Sequence, residues 1–449
     1  MLKKVKWNNY KALGNLDLDF RKPDGSAYST IILAGENGTG KTTILETLGQ
    51  FLTGHSIVPF SYLEYEISGK DFWIEPVQRN ANLGFHTRKD MSNGRITQVT
   101  TNFNNSPDKM QNDENDLRSY GCVYSMAKSQ FQTQNIQGIT TQQLDANKYE
   151  FDSKNDFTEI KQLLVDIDAQ DAKEYRRINQ TNNISLSEFE PQSKMYRFKS
   201  AFNSFFDNIQ FDRIDDSLAN LQRIIFKKHG IDILIDDLST GEKQIVFRGT
   251  YLLKNSNAVS HGIILIDEPE LSMHPTWQQK ILSFYKNLFM QNGEQKAQII
   301  MATHSEYVVR KALEDKDNTL VIILKDENGV IEQTRAEAPH LLLHLTSAEI
   351  NFKAFGIYSI DYHVELYGRL QAKTGCNTIN DMDDYIRRQS EYNSNDDKNA
   401  LRNGNTITET LPTYIRNTID HPENPSRSYN NEELKKSTDI LINLIEALL

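Results

Sequence analysis

The sequence predicts an α/β fold whose ligand site lies where several parallel strands end. Three observations carry that expectation. Gly35-Glu-Asn-Gly-Thr-Gly-Lys41-Thr42 has the spacing of a phosphate-cradling loop and follows a run of β-formers, Thr30-Ile-Ile-Leu-Ala34. A second aliphatic run, Ile263-Ile-Leu-Ile266, ends in the adjacent acids Asp267 and Glu268. A third, Gln298-Ile-Ile-Met-Ala-Thr303, ends in His304. Uninterrupted aliphatic runs suit strands covered on both faces, and open α/β sheets place ligands at the carboxyl ends of such strands.

Each element has a chemical reason. In the loop, Gly35, Gly38 and Gly40, with Asn37 and Thr39 between them, let the backbone curl so that N–H groups point at phosphate oxygens. Lys41 adds a mobile positive charge, the Thr42 hydroxyl can ligate Mg²⁺, and Thr43 is expected to continue the contact. The helix expected over Lys41–Leu52 points its N-terminus at the same phosphates. Asp267 is the second metal-binding residue, acting through the outer shell, and Glu268 is the candidate base for an attacking water. Leu238-Ser239-Thr240-Gly241-Glu242-Lys243-Gln244 opens a further helix: Ser239 and Glu242 have capping-box spacing, and Gly241 suits close approach of backbone to a phosphate.

That last segment resembles the signature motif of ABC-type ATPases, in the form used by the SMC-like, RecF-like and OLD-like branch. Asn9-Tyr-Lys-Ala-Leu13 followed by Leu16-Asp-Leu-Asp-Phe20 is similar to the hairpin that begins this branch, and Glu270 to Gln278 to its stretch after the Asp-Glu pair. The resemblance covers about residues 1–335. It implies an ABC-type P-loop ATPase head, ATP and Mg²⁺ as its nucleotide and metal, and His304 as the switch histidine on the γ-phosphate. Lys41, Glu268 and His304 are then the catalytic group. It also implies a homodimer or larger homo-oligomer in which Ser239, Gly241 and Glu242 of one copy cover the nucleotide of another. Gln78, Gln130 and Gln132 are candidates for the glutamine loop.

The chain has 449 residues, 38% of them hydrophobic and 10% aromatic, enough for a packed core. The expected division is an ATPase domain over 1–335, carrying a compact α+β insertion at about 57–229, and a mainly helical domain over 340–449. Within the insertion, 57–103 reads as hairpins, 88–118 as polar loop and 156–229 as helical; no heptads mark a coiled-coil arm. A net charge of −11 argues against a general nucleic-acid binder and leaves a local basic groove open. Two distant cysteines, no membrane-length apolar run and no signal peptide fit the cytoplasm. Residues 387–407 read as a soft polar stretch.

In the C-terminal segment, Arg416 and His421 fit the R-x(4–6)-H spacing of HEPN ribonucleases, in which a cation and an imidazole serve phosphoryl chemistry. The same spacing recurs at Arg79/His86, Arg223/His229 and Arg335/His340. As a whole the chain resembles compact ABC ATPases of bacterial anti-phage systems, of the Septu, retron-associated and PARIS types. That resemblance implies a nucleotide-driven switch that controls an effector nuclease in a separate chain. Two alternatives stay open: an ATP-gated ribonuclease with its nuclease site at Arg416 and His421, and a RecF-like DNA-repair ATPase.

Overall fold

The computed structural model describes the chain except residues 78–83, 103–111, 127–148, 152–156, 219–220, 255–260, 292, 337–340, 343–345, 403–404 and 449. It divides into two compact units, Met1–Arg335 and Ala336–Leu449.

The first unit is built on a seven-stranded sheet. Its strands run in the order Val330–Arg335, Thr319–Glu327, Thr30–Gly35, Gln298–Thr303, Ile263–Asp267, Cys122–Ser125 and Tyr149–Phe151. All neighbours are parallel except the closing hairpin, which turns at Asn328-Gly329. The three aliphatic runs read from sequence are its central strands, and every residue in them is buried. Their register aligns the strand ends. Asp267 lies opposite Ala302, Ala302 opposite Leu33, and Thr303 opposite Ala34, so three carboxyl ends stop level with one another.

Helix Lys41–Leu52 packs against the parallel sheet, and its Ile44, Leu45, Leu48, Phe51 and Leu52 share one core with a second sheet. At about 1.5–3 kcal/mol per fully buried side chain, this apolar face outweighs the weak helix propensity of its Thr-Thr start. The second sheet is antiparallel, with strand order Asp17–Asp19, Leu2–Trp7, Phe60–Ile67, Lys70–Pro76, Phe85–Asp90, Ile96–Thr100.

Residues 57–229 therefore differ from a separate insertion. Phe60–Ile67 pairs with Leu2–Trp7, and Cys122–Ser125 sits inside the parallel sheet beside Ile263–Asp267. The stretch read as polar loop includes strand Ile96–Thr100, reached through a turn with Gly94 at φ +72°. Within the stretch read as helical, helices Phe157–Asn182 and Lys194–Phe205 are followed by strands Ile209–Leu218 and Leu221–Lys228. Pairings such as Val5 with Leu63 join distant positions, which local patterning does not encode. Phe202, Phe205 and Phe206 are buried core residues.

The second unit contains helices Ser347–Phe355, Ile360–Thr374, Ile379–Arg387, Leu411–Asp420 and Asn431–Glu446. Thr346, Ser359, Thr378 and Asn430 cap four of these starts, each side chain accepting an N–H from the first turn. The core joins Tyr362, Leu366, Tyr367 and Leu370 to Met382, Ile386, Leu441 and Leu444. Where a polar stretch was expected, Lys398–Arg402 pairs with Asn405–Glu409 as a hairpin. Ala400 and Ile407 sit opposite each other and pack toward Leu411, Tyr414 and Leu434. No helix among the described residues is long and apolar enough to cross a membrane.

Candidate nucleotide site

The loop after the first central strand needs its glycines for steric reasons. A Cβ on Gly35 (φ +153°) would lie 2.3 Å from the Leu324 carbonyl oxygen, and one on Gly40 (φ +82°) 2.4 Å from Leu13 Cδ2. Asn37 and Gly38 are exposed at the crest; Thr39 is buried and its hydroxyl donates to the Glu36 carbonyl at 2.8 Å. Lys41 folds under the loop, donating from Nζ to the carbonyls of Gly35 and Glu36, both at 2.8 Å. Burial pushes its pKa down to about 8, against the pull of Glu268, Asp267 and Glu270. An ammonium desolvated this way and surrounded by carbonyl acceptors and acids is poised to exchange its carbonyls for phosphate oxygens.

Thr42 begins the helix and donates to Asp267 Oδ2 at 2.9 Å. Asp267 Oδ1 is buried, and the Tyr124 hydroxyl lies against the same carboxylate. Burial raises this carboxyl to about 6; the Thr42 bond opposes that shift and neighbouring Glu268 adds to it. A threonine hydroxyl and a buried carboxylate side by side are oxygen donors that suit a hard cation. Among the described residues no cluster of three His, Cys, Asp or Glu could hold a metal by protein alone. The pair fits Mg²⁺, which takes most of its ligands from phosphate and water.

One residue on, Glu268 adopts φ +43°, a left-handed conformation that costs a non-glycine residue about 1 kcal/mol or more. Its N–H donates to Ala302 O at 3.0 Å, which ties the turn to the neighbouring strand. The carboxylate lies 3.2 Å from His304 Nε2, with 31% of the Glu268 side chain and 29% of the His304 side chain exposed. Burial lowers the His304 pKa and the Lys41 charge lowers it further, while Glu268 opposes both. The Gly35 backbone and the Glu268 carboxylate both hold the His304 ring, which ties it to the phosphate loop as well as to the acid.

The capping box read at Ser239 forms: Glu242 Oε2 accepts the Ser239 N–H at 2.7 Å, and Ser239 Oγ accepts the Glu242 N–H at 3.4 Å. Ser239 and Thr240 are exposed, and Lys228 holds Glu242 at 2.9 Å. Gly241 has a reason unrelated to phosphate. A Cβ there would lie 2.9 Å from Trp277 Cζ3 and 3.1 Å from Ser272 O, so the glycine makes room for the segment after the acids. Gln78, Gln130 and Gln132 lie outside the described residues.

Three site residues escaped the sequence reading. Arg248 is fully buried on the signature helix and donates to the carbonyls of Asp267 (2.8 Å) and Met126 (3.0 Å). Glu270 and Gln278 grip the strand end that carries His304. An arginine within the apolar run Ile245-Val-Phe-Arg248 was a legible sign of burial; the partners of Glu270 and Gln278 had none.

The structure does not assemble Arg416 with His421. Arg416 pairs with Asp420 on its own helix, and its charge acts on the buried His363, helping burial lower that pKa. His421 ends the helix, 65% exposed beside Glu423. It lines a surface cavity of about 370 Å³ with Asn417, Asn424, Thr378 and Arg427, which does not include Arg416. The cation in that cavity, Arg427, is neutralised by Glu409 through two hydrogen bonds of 2.7 and 2.9 Å.

A phosphate loop, an Asp-Glu pair and a histidine at adjoining strand ends, with a signature helix in the same unit, define a P-loop ATPase of the ABC type. The chain belongs to the family described as "AAA domain, putative AbiEii toxin, Type IV TA system", which matches residues 31–310. It is 25% identical over 361 residues to the Septu protein PtuA of Bacillus thuringiensis, covering 73% of this chain and 77% of that protein. To the Septu protein PtuA of Bacillus mycoides it is 22% identical over 337 residues, spanning 73% of this chain but only 41% of the relative. A 91-residue stretch is 37% identical to the Retron Vc95 probable ATPase of Vibrio cholerae, covering 18% of this chain and 17% of that one. Among solved structures, an Smc head bound to the C-terminal winged-helix domain of ScpA matches with 15% identity and a TM-score of 0.43, covering 75% of this chain and 98% of that one.

Proposed function

We propose that this chain is a Mg-ATP-hydrolysing switch of bacterial anti-phage defence, acting in the cytoplasm and controlling an effector nuclease on a separate chain. The observation that carries the ATPase part is the convergence at one set of strand ends: Thr42 on Asp267 at 2.9 Å and Glu268 on His304 at 3.2 Å. The defence part is supported by the likeness to proteins named for Septu and retron systems.

Bound Mg-ATP supplies the phosphoanhydride bond and the metal's charge; the chain's residues bind and orient it. Loop N–H groups and Lys41 would hold the polyphosphate, and Thr42 with Asp267 would hold Mg²⁺. Glu268 would take the proton of the attacking water, its carboxylate held beside His304 Nε2. The exposed N-terminus of the helix beginning at Thr240 is available to a second copy, whose phosphates it would stabilise. Specific activity accordingly rises with protein concentration as dimers form. The second unit, with its own core, is the docking site for the effector.

The test is phage protection by cells carrying this gene with and without its neighbouring genes, beside RNA cleavage by the purified protein. Protection that needs both a neighbouring nuclease and Lys41, with RNA left intact, is the expected result. RNA cleavage that disappears in Arg416→Ala/His421→Ala would instead place the effector in this chain. ATPase stimulated by DNA ends, with no need for a neighbour, would point to repair.

A further inference from the structure

Thr303, His304 and Ser305 leave the central sheet as a short bridge into helix Glu306–Leu313, and His304 has to aim at Glu268 from that bridge. What holds the bridge is not its own strand. Glu270 Oε1 accepts the Thr303 hydroxyl at 2.7 Å and the His304 backbone N–H at 2.6 Å. Thr303 Oγ1 in turn accepts the Ser305 N–H at 3.0 Å. On the far side, the Ser305 hydroxyl donates to Gln278 Oε1 at 2.6 Å, and Gln278 Nε2 donates to Met273 O at 3.0 Å. Glu270 is nine-tenths buried, and its Oε2 has no hydrogen-bond partner among the described residues. A buried carboxylate with an orphaned oxygen is costly to the fold. Stability alone therefore does not call for an acid here.

We infer that Glu270 is a positioning residue for the hydrolytic step, acting through His304, with Gln278 as the second arm of the clamp. This inference rests on the ATPase reading above. An acceptor shared between a side-chain hydroxyl and a backbone N–H fixes both the peptide plane and the strand end, and so the direction of the imidazole. The distance from His304 Nε2 to Glu268 depends on that direction. A shift of about 1 Å at such a pair lowers turnover by as much as 100-fold; ground-state nucleotide binding changes far less, because Glu270 reaches Lys41 through its charge and not through a hydrogen bond.

The test is steady-state ATP turnover and ATP binding by the full chain for wild type, Glu270→Ala, Glu270→Gln, Gln278→Ala, His304→Ala and the Glu270→Ala/His304→Ala double variant. Glu270→Ala is expected to lower kcat on the order of 10- to 100-fold with ATP affinity within about twofold. Glu270→Gln keeps a carbonyl acceptor at the Oε1 position and recovers most of that loss. Gln278→Ala shows a smaller loss of the same kind and serves where Glu270→Ala fails to fold. In the His304→Ala background, Glu270→Ala adds less than about a twofold further loss, because the two residues act as one unit. A full additional loss in the double variant, or a weakened affinity that matches the lowered kcat, would make Glu270 merely structural. Wild-type turnover in Glu270→Ala overturns the inference and leaves the ATPase reading standing. A wild-type protein that binds but never hydrolyses ATP overturns both.

Discussion

Thr42 and Asp267 lie 225 positions apart and share a hydrogen bond, whereas Arg416 and His421 are close neighbours on one helix and do not share a cavity. The first pair came from two motifs, each anchored to a strand that had to lie in one sheet; the second came from a spacing alone. A spacing on one helix places residues at nearby heights, but five positions apart they point about 500° round the axis and need not meet. Strand ends in a parallel sheet do meet, since register forces them level. Convergence of distant residues is the stronger sign of chemistry.

Removing one residue from each region separates the convergent site from the spaced pair. The largest effect is expected for Lys41→Ala. Turnover and ATP affinity fall on the order of 100-fold or more, read by phosphate release and calorimetry. The thermal midpoint holds or rises, because the buried ammonium is desolvated in the fold. A Lys41→Ala variant that hydrolyses normally would remove the convergent site from consideration.

Next comes Arg427→Ala in the second unit. Arg427 and Glu409 are 6% and 8% exposed and doubly bonded, so breaking the pair leaves a buried carboxylate and costs about 3–5 kcal/mol of that unit's stability. ATP turnover stays at the wild-type level. Urea unfolding followed beside ATPase assay checks it, and lost turnover in a folded variant would tie this cavity to the nucleotide site.

A third effect links pH to both units. Burial keeps His86 in the first unit and His363 in the second neutral down to about 3, while an unfolded histidine takes up its proton near 6.5. Their contribution is fully present above about pH 6.5 and is lost as pH falls from there toward about 3, because the unfolded chain then binds more protons. Thermal midpoints should drop between pH 7 and 5, and less steeply in His86→Gln and His363→Gln. Equal slopes in variant and wild type would contradict the buried, neutral state.

The smallest effect is expected for Arg416→Ala/His421→Ala: ATPase at the wild-type level and a stability change under about 0.5 kcal/mol, since Arg416 holds one pair within its helix and His421 is mostly exposed. A large loss of either would reopen the C-terminal site.

Legibility in the sequence divides along the same line. The three aliphatic runs and the loop between Gly35 and Thr42 specified strands, order of motifs and the acids at their ends, because burial on both faces and phosphate geometry act locally. Pairing of Leu2–Trp7 with Phe60–Ile67, and the place of Cys122–Ser125 in the parallel sheet, depend on contacts between remote segments and had no local mark. Gly241 was assigned to phosphate approach when its neighbour is Trp277, a side chain 36 positions away that no reading of Leu238–Gln244 could supply. The partners of Glu270 were hidden for the same reason: it opens a family-like stretch, but nothing local to that stretch points to Thr303 and His304.

The most direct test of the account is single-turnover hydrolysis of Mg-ATP by wild type and Glu268→Gln, with ATP affinity measured on the same preparations. If Glu268 is the base held by His304, the variant binds ATP as tightly as wild type and cleaves it on the order of 100-fold more slowly or worse. Cleavage at the wild-type rate by Glu268→Gln would contradict the site assigned here.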